Sequence, residues 1–201
     1  MPSFDEAAAG VCSLARLCHA RGWAPATSGN FSVVVAATPL RLAITPSGVD
    51  KGGLEPGEIL EVDASGRVQR GAGQPSAETA IHLATVRARG AGAVAHTHSL
   101  MATRLSEAHA GAGAVTLRGY EMLKALAGVT THEHEERLPI VENTQDWVAA
   151  APGIEAMLAR HPAAHGFLIR GHGLYTWGRD VVETLRHVEA VEYLLEAVGR
   201  P

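Results

Sequence analysis

Two histidines stand two residues apart in a setting that suits a metal ligand pair. His96 and His98 follow the apolar residues Ala93 and Val94 directly. If this segment is a buried strand, side chains two residues apart point to the same side, so both imidazoles can reach one ion. Two polar strand residues facing water are the alternative, and the apolar run before them makes that alternative the weaker one.

A third imidazole, His172, lies between Gly171 and Gly173 in an expected turn. Flanking glycines let the backbone approach other groups closely and leave the imidazole accessible. Together with His96 and His98 it would complete a three-histidine site, the ligand number of catalytic zinc centres that keep one position open. Taken alone, a histidine in a glycine turn is more often an ordinary hairpin residue.

Three turns of small residues offer the backbone N–H groups and hydroxyls that bind phosphate. They are Thr27–Asn30, Thr45–Gly48 and the pair Pro75–Ser76 at an expected helix start, where the helix dipole also favours an anion. Each turn alone is an ordinary turn or helix cap, but three of them can surround one anion. Lys51 and Arg118 could add positive charge to such a site, but the sequence does not show whether they lie near it. The candidate phosphate-binding residues are Ser28, Gly29, Asn30, Ser47, Gly48 and Ser76.

Two carboxylates are candidates for moving a proton. Glu78 lies in the expected first turn of a helix, where an acid also serves simply to stabilise the helix dipole. Glu121 is followed by Met122 and Leu123, whose apolar surface can partly bury it; burial would raise its pKa and so suit it to proton transfer. From the residues alone, an exposed helix position is the more frequent situation for such a glutamate.

The run Thr131–Glu136 contains two histidines and three acids, and its spacing allows a second metal site. Closely spaced acids are more typical of a solvated loop, which is the interpretation we favour. The remaining six histidines have no partner pattern and are interpreted as surface or packing residues.

These residues must be positioned by a fold of short strands and helices. Periodicity and turn signals predict several strands in succession without a helix between them, which favours a mixed or antiparallel sheet with helices packed on it. Pro139 is expected at a sheet edge or a bulge. Helices are expected over residues 5–21, 76–89, 100–108, 117–126, 146–160 and 180–198, and strands over 31–36, 41–45, 59–63, 67–69, 93–97, 138–141, 166–170 and 174–177.

The composition is that of an ordinary globular chain of 201 residues, 46% hydrophobic and 19% charged, which fits a single domain over 1–201. A net charge of −4 argues against nucleic acid or an anionic membrane as the main partner. No apolar run approaches the roughly 18 residues of a membrane span. Cys12 and Cys18 lie six apart in one expected helix, so they face different sides and are expected as free thiols of a cytoplasmic protein.

The order of these motifs resembles the class II, zinc-dependent sugar-phosphate aldolase family, also known as the adducin-head fold. The likeness covers nearly the whole chain and implies a three-layer α/β/α fold with a mixed, largely antiparallel central sheet. It implies one Zn²⁺ per subunit on the three histidines, a phosphate pocket from the three turns, and a homotetramer with sites at subunit interfaces. The motifs, in order, are Ser28–Asn30, Thr45–Gly48, Pro75–Glu78, His96–His98 and Gly171–Gly173.

Within this family the chain is most similar to the members that act as hydro-lyases on a ketose 1-phosphate with a methylthio end. The segments that carry this likeness are Gly92–Ser99, Glu121–Lys124 and Leu138–Asp146. The resemblance assigns the proton donor and acceptor role to Glu121. Aldolases of the family use a glutamate at the position of Glu78 as base, so aldol cleavage or epimerisation of a small sugar phosphate is the alternative activity. A metal-free scaffold like the adducin head is a further alternative.

Overall fold

The computed structural model of the chain describes residues 1–199, in which nine strands form one mixed sheet. All neighbouring strands are antiparallel except β7 and β8, and the order across the sheet is β4-β3-β2-β1-β5-β9-β8-β7-β6. The predicted sheet type is therefore confirmed. The strands are β1 Asn30–Ala37, β2 Leu40–Ile44, β3 Leu60–Asp63, β4 Val68–Arg70, β5 Ala93–Thr97, β6 Ala114–Arg118, β7 Glu135–Val141, β8 Gly166–Ile169 and β9 Gly173–Gly178.

Helices cover both faces of the sheet, which confirms the predicted three layers. Helices α2 and α4 share a hydrophobic cluster with the sheet on one face, and α1, α3 and α5 pack against the other. Arg200 and Pro201, the end of the predicted domain, lie outside the described residues. The helices are α1 Phe4–Ala20, α2 Thr79–Arg89, α3 Leu100–Ala108, α4 Trp147–Arg160 and α5 Val181–Gly199, with 3-10 turns at Pro56–Glu58, Ala110–Ala112 and Glu121–Ala125.

Helix α1 shows how local sequence sets an element and its buried face. Ser3 and Glu6 form a reciprocal capping box at its start, which satisfies backbone N–H groups that the helix leaves free. Val11, Leu14 and Cys18 are buried on its inner face as their spacing predicts. Cys18 and Cys12 are free buried thiols, and burial raises the pKa of Cys12 to about 11.

The central strand β5 carries the first metal-ligand candidates into the middle of the sheet. Its residues alternate between the two faces: Ala93 and Ala95 pack with α1, whereas Val94 packs with the cluster of α2 and α4. By the same alternation His96 faces the α2 side and Thr97 the α5 side. A histidine at the end of a buried strand is thereby brought under the start of α2.

Two elements differ from the sequence expectation. Helix α2 begins at Thr79, because the backbone N–H of Thr79 donates to Ser76 O in a preceding turn and Glu78 becomes the N-cap residue. The segment 117–126, predicted as one helix, is divided between strand β6 and a 3-10 turn. Pairing of β6 with β7 residue by residue overrides the local helical pattern.

Strand β7 also departs from expectation in position and in length. It lies between β6 and β8, so Pro139 is not on an edge strand. The strand tolerates Pro139 because β8 pairs only with Ile140 and Val141, beyond the residue that lacks an N–H. The strand starts at Glu135, and Glu136 is buried, which corrects the solvated-loop interpretation for the end of the acidic run.

Among residues 1–199, no helix combines the length and the apolar character that a membrane crossing requires.

Candidate metal centre and active site

Three imidazoles converge at one end of the paired strands β5 and β9. His96 is the penultimate residue of strand β5, His98 follows the strand, and His172 lies in the turn between β8 and β9. The Nε2 atom of His172 lies 3.3 Å from Nε2 of His96 and 3.1 Å from Nε2 of His98. A Cβ on Gly173 would lie 2.0 Å from the carbonyl oxygen of Thr97, so this glycine is required for the turn to approach β5.

The outer nitrogens of two of these rings fix which nitrogen faces the cluster. His96 Nδ1 lies 2.9 Å from Leu174 O and donates to it, so its Nε2 carries a lone pair. His172 Nδ1 lies 3.3 Å from Asn143 Oδ1, which likewise favours a proton on the outer nitrogen. Lone pairs facing one another at this range repel unless a shared cation lies between them.

A carboxylate completes the group. Glu78 Oε2 lies 3.2 Å from His96 Nε2, and Glu78 Oε1 lies 3.3 Å from His172 Nε2. Burial, together with the neighbouring imidazoles, lowers the pKa of His96 and of His98 to about 3, so both are neutral at pH 7. Ligand atoms of Glu78, His96, His98 and His172 all lie within 4.8 Å of one another. Three neutral imidazoles and one carboxylate suit a zinc-type ion.

Glu78 is held in place by a buried network on the α2 face of the sheet. Tyr175 donates its O–H to Glu78 Oε2, and its ring stacks on His96 at a centroid distance of 4.1 Å. Asn30 Nδ2 lies 3.5 Å from the same oxygen, and Asn30 Oδ1 lies 2.5 Å from His82 Nε2. Asn30, a candidate for phosphate binding by sequence, is therefore engaged in this inner network.

A second buried carboxylate, that of Glu192, contacts strand β5 from the face opposite to Glu78. Thr97, between His96 and His98, donates its O–H to Glu192 Oε1. Burial raises the pKa of Glu192 to about 7, so this group is partly protonated near neutral pH.

An open cavity of about 520 Å³ adjoins the histidines and gives a ligand access to them. His98, His172, Ser28 and Asn143 are among the residues that line it. Ala26, on the same wall, adopts φ +54°, a left-handed conformation that non-glycine residues adopt at a cost of order 1 kcal/mol. Strained backbone of this kind is concentrated at ligand sites.

The three candidate phosphate-binding turns do not all line the same cavity. Ser28 lines the histidine cavity, and a Cβ on Gly29 would lie 2.9 Å from His96 O. The turn Thr45–Gly48 pairs with the segment before Ser76 through a bridge between Pro46 and Pro75, and Ser47 N–H donates to Gln74 O. Ser76 lines a different cavity, of about 500 Å³, against α4.

Lys51 lies near the candidate phosphate-binding turns, a position that could not be predicted from the sequence. It is 1% exposed, and its Nζ donates to Thr27 O at 2.8 Å and to Val49 O at 2.9 Å. It thus joins the turn Thr27–Asn30 to the residue after the turn Thr45–Gly48, and it lies near enough to His98 to lower the pKa of that imidazole. Burial lowers its own pKa to about 8, against the opposing charge of Asp50, and within residues 1–199 it forms no salt bridge with a carboxylate.

Glu121 does not lie near the metal-ligand candidates His96, His98 and His172 of its own chain. The burial of its side chain that its apolar neighbours suggested is not found. Its side chain is 68% exposed and forms ion pairs with Lys124 and His132. Hydrogen bonding and charge attraction from Lys124 lower its pKa, the opposite of the expected shift. The apolar neighbour Leu123 is buried without covering Glu121, because the 3-10 turn directs adjacent side chains to different sides.

Sequence reasoning also missed Tyr175 and Asn143. Tyr175 lies opposite His96 in the pairing of β5 with β9, a contact that only the strand register reveals. Asn143 follows strand β7 within the Leu138–Asp146 segment already singled out, so a polar residue just beyond a strand end was the available signal.

Known proteins of similar sequence share almost the full length of this chain. It is 50% identical over 196 residues to methylthioribulose-1-phosphate dehydratase of Sorangium cellulosum, covering 96% of this chain and 92% of that protein. It is 48% identical over 195 residues to the protein of the same name from Parvibaculum lavamentivorans, covering 96% and 93%.

Structural comparison independently supports the fold. The crystal structure of YgbL from Klebsiella pneumoniae matches with a TM-score of 0.81 at 21% identity, covering 98% of this chain and 90% of that one. The family model described as "Class II Aldolase and Adducin N-terminal domain" matches residues 9–198. The chain therefore belongs to the class II aldolase and adducin N-terminal domain family.

Proposed function

We propose that this chain is a methylthioribulose-1-phosphate dehydratase of methionine salvage. It would convert 5-methylthioribulose 1-phosphate into 2,3-diketo-5-methylthiopentyl 1-phosphate and water. The observation that carries the proposal is the near-full-length identity of 50% to a relative of that name. The buried cluster of three histidines and Glu78 beside an open cavity supports it with a site able to serve this chemistry.

We propose Zn²⁺ as the resident ion, held by His96, His98 and His172, one per chain. When bound there, it supplies Lewis-acid charge for a substrate carbonyl oxygen. The chain's own part is to keep all three Nε2 atoms unprotonated and aimed inward. His96 does so through its bond to Leu174 O, and His172 through Asn143. His98→Ala is expected to lower the metal content and the turnover together.

The reaction breaks the C–H bond next to the carbonyl and then the C–O bond on the following carbon. The hydroxyl leaves as water with a donated proton, and the resulting enol converts to the diketone. Glu78, anchored by Tyr175, is the carboxylate that this chain itself holds beside the histidine cluster. We assign both proton transfers to Glu121, which would accept the proton from the C–H bond and then donate it to the leaving hydroxyl. Its carboxylate has a lowered pKa in the single chain and is therefore ionised, so it can accept that proton.

For Glu121 to take part in the reaction, we propose that a second copy of the chain supplies it. Its partners within one chain are Lys124 and His132 rather than the histidine cluster. The family resemblance implies a homotetramer with sites between subunits, and in such an assembly Glu121 would enter a neighbour's cavity. We propose that this homotetramer is the active form. Each subunit would be a single domain over residues 1–201, and the protein would be cytoplasmic.

The phosphate is proposed to bind beside the turns that Lys51 joins. Buried charges are normally paired, yet the Lys51 ammonium donates its hydrogen bonds to two neutral carbonyls, and the Asp50 carboxylate acts on it only through charge, without a salt bridge. A substrate phosphate at Ser28 and Gly29 would give it a directly bound negative partner. Backbone N–H groups and hydroxyls of the turns Thr27–Asn30 and Thr45–Gly48 would supply the remaining hydrogen bonds, whereas Ser76 of the third turn lines a separate cavity.

Aldol cleavage of a small sugar phosphate is the second candidate, and the position of Glu78 is the observation that favours it. Glu78 lies at the histidine cluster within a single chain, as a base for such cleavage must. That chemistry would break a C–C bond and release a two- or three-carbon fragment.

Incubation with 5-methylthioribulose 1-phosphate distinguishes these activities. The dehydratase proposal predicts the absorbance of a diketone, abolished in His98→Ala. Release of an aldehyde without diketone would replace the proposal with aldol cleavage. A chain that holds no metal and converts nothing would instead be a metal-free module of the family.

A further inference from the structure

A second cluster of two histidines and one glutamate lies apart from the site described above. His134 precedes strand β7, Glu136 lies within it, and His165 precedes strand β8. His172 follows the opposite end of β8, so the length of that strand, about 13 Å for four residues, separates the two clusters. Glu136 is buried, whereas His134 and His165 are partly exposed.

The side-chain atoms of this cluster converge on one carboxylate oxygen. Glu136 Oε2 lies 3.0 Å from His134 Nε2 and 2.9 Å from His165 Nδ1. The three ligand atoms lie within 4.8 Å of one another. Bonds of about 2.1 Å at tetrahedral angles place neighbouring ligand atoms about 3.4 Å apart, so an outward shift of about 0.5 Å would fit these atoms around a zinc-type ion.

Contacts outside the cluster orient these atoms as they do in metal sites. Glu136 Oε1 accepts the backbone N–H of His165 at 2.8 Å, which leaves Oε2 to face the imidazoles. His165 Nε2 lies 2.9 Å from Ala127 O, so Nε2 donates, and Nδ1 can offer a lone pair to an ion once it releases the proton of its hydrogen bond to Glu136. Metal-binding histidines typically hold their second nitrogen in this way, and His96 does the same through Leu174 O.

The cluster is open on one side. His134 and His165 line a surface cavity of about 470 Å³, with Arg89 and Trp177 on its wall. The cavity gives an ion a path of entry and leaves room for water on its remaining coordination positions. The nearby guanidinium of Arg89 repels a cation, and the cluster has one carboxylate and two imidazoles, so it should bind more weakly than the four-residue centre.

We propose that His134, Glu136 and His165 form a second binding site for a divalent transition-metal ion of the zinc type. Two imidazoles and one carboxylate with open positions are a known ligand set for such ions. An ion there would join the start of β7 to the start of β8. Binding requires His165 Nδ1 to release its proton, so the ion replaces the hydrogen bond between His165 and Glu136.

Zinc loading of the metal-free protein tests the site without an activity assay. After removal of metal with a chelator, the full chain is dialysed against zinc chloride and its zinc and protein contents are measured. The proposal predicts two ions per chain, one of them lost in His134→Ala. His98→Ala should also retain one ion, and the double variant His98→Ala/His134→Ala should retain none.

Two further variants make the result specific. Glu136→Gln keeps the shape of the side chain and should also lose one ion, and circular dichroism confirms that each variant is folded. His109→Ala changes an exposed histidine outside both clusters and should keep two ions. A single ion in the unchanged protein that His98→Ala removes, or an unchanged count in His134→Ala and Glu136→Gln, would overturn the proposal and leave only a hydrogen-bond network.

Discussion

Tyr175 donates its phenolic hydrogen bond to Glu78, the carboxylate that faces His96 and His172. The two residues come from strand β9 and from the cap of α2, 97 positions apart. The bond and the stacking of Tyr175 on His96 hold the carboxylate and one imidazole in a common arrangement. The geometry of the metal centre therefore depends on a residue that is not itself one of the ligand candidates.

Removing this hydrogen bond should loosen the centre without unfolding the chain. Tyr175→Phe keeps the aromatic ring and its stacking but leaves Glu78 without its main donor. Loss of such a supporting contact typically costs about 10–100-fold in metal affinity or activity, and we expect zinc affinity to fall in this range. Competition with a coloured chelator measures the affinity. Tyr193→Phe, at a half-exposed tyrosine on α5, should leave it unchanged, and equal affinities in all three proteins would contradict the role of Tyr175.

The two candidate carboxylates should separate in their effects on rate and on metal. Glu121→Gln removes a titratable proton and should lower turnover by about 10²–10⁴ while leaving the zinc content intact. Glu78→Gln alters a residue at the histidines and should lower turnover by about 10–100-fold. Steady-state kinetics and metal analysis of both variants test this order. A nearly inactive Glu78→Gln beside a nearly normal Glu121→Gln would shift the assignment to aldolase-type chemistry.

Lys51 should affect the recognition of phosphate more than the chemical step. Lys51→Met keeps the length of the side chain and removes the charge near the phosphate turns. Loss of a charged hydrogen-bonding partner is worth about 1.5–3 kcal/mol, so KM should rise by about 10–100-fold with a smaller change in kcat. Arg160→Met, on the exposed end of α4, is the matched control. Unchanged KM in Lys51→Met would place the phosphate elsewhere.

Glu192 should make the stability of the chain depend on pH. Its pKa is raised to about 7 from a usual 4.5, mainly by burial and also by Glu196, against hydrogen bonds from Thr97 and Ser99. Between these values the folded chain keeps a proton that the unfolded chain has released. The free energy of unfolding should therefore fall as pH rises from about 4.5 to 7, by up to about 1.4 kcal/mol per pH unit.

Urea unfolding at pH 5 and at pH 7 measures this contribution. Glu192→Gln cannot titrate at that position, so its stability should fall less over the same interval than that of the unchanged protein. Glu189→Gln, at a more exposed glutamate on the same helix that pairs with Arg21, should retain the original pH dependence. The same slope in Glu192→Gln as in the unchanged chain would show that Glu192 is not the responsible group.

Features that depend on short-range spacing can be predicted from the amino-acid sequence. The alternation along residues 93–97 predicts a buried strand with His96 near its end, and the structure has that strand. The glycines around His172 predict a close approach of backbones, and Gly173 makes it. Turn signals and the succession of strands predict the mixed sheet. These features follow from local periodicity and steric limits, which a sequence displays directly.

Which distant residues lie in contact depends on how the folded chain packs, and local sequence patterns do not show it. Strand register sets Tyr175 beside His96, and loop packing brings Lys51 under Thr27. Apolar neighbours in sequence suggest that Glu121 is buried, but a 3-10 turn leaves it exposed beside Lys124. The closely spaced acids of Thr131–Glu136 predict a solvated loop, yet the pairing of strand β7 buries Glu136 against His165. Burial and pKa depend on non-local contacts, and these arise only when strands and helices far apart in the chain are packed together.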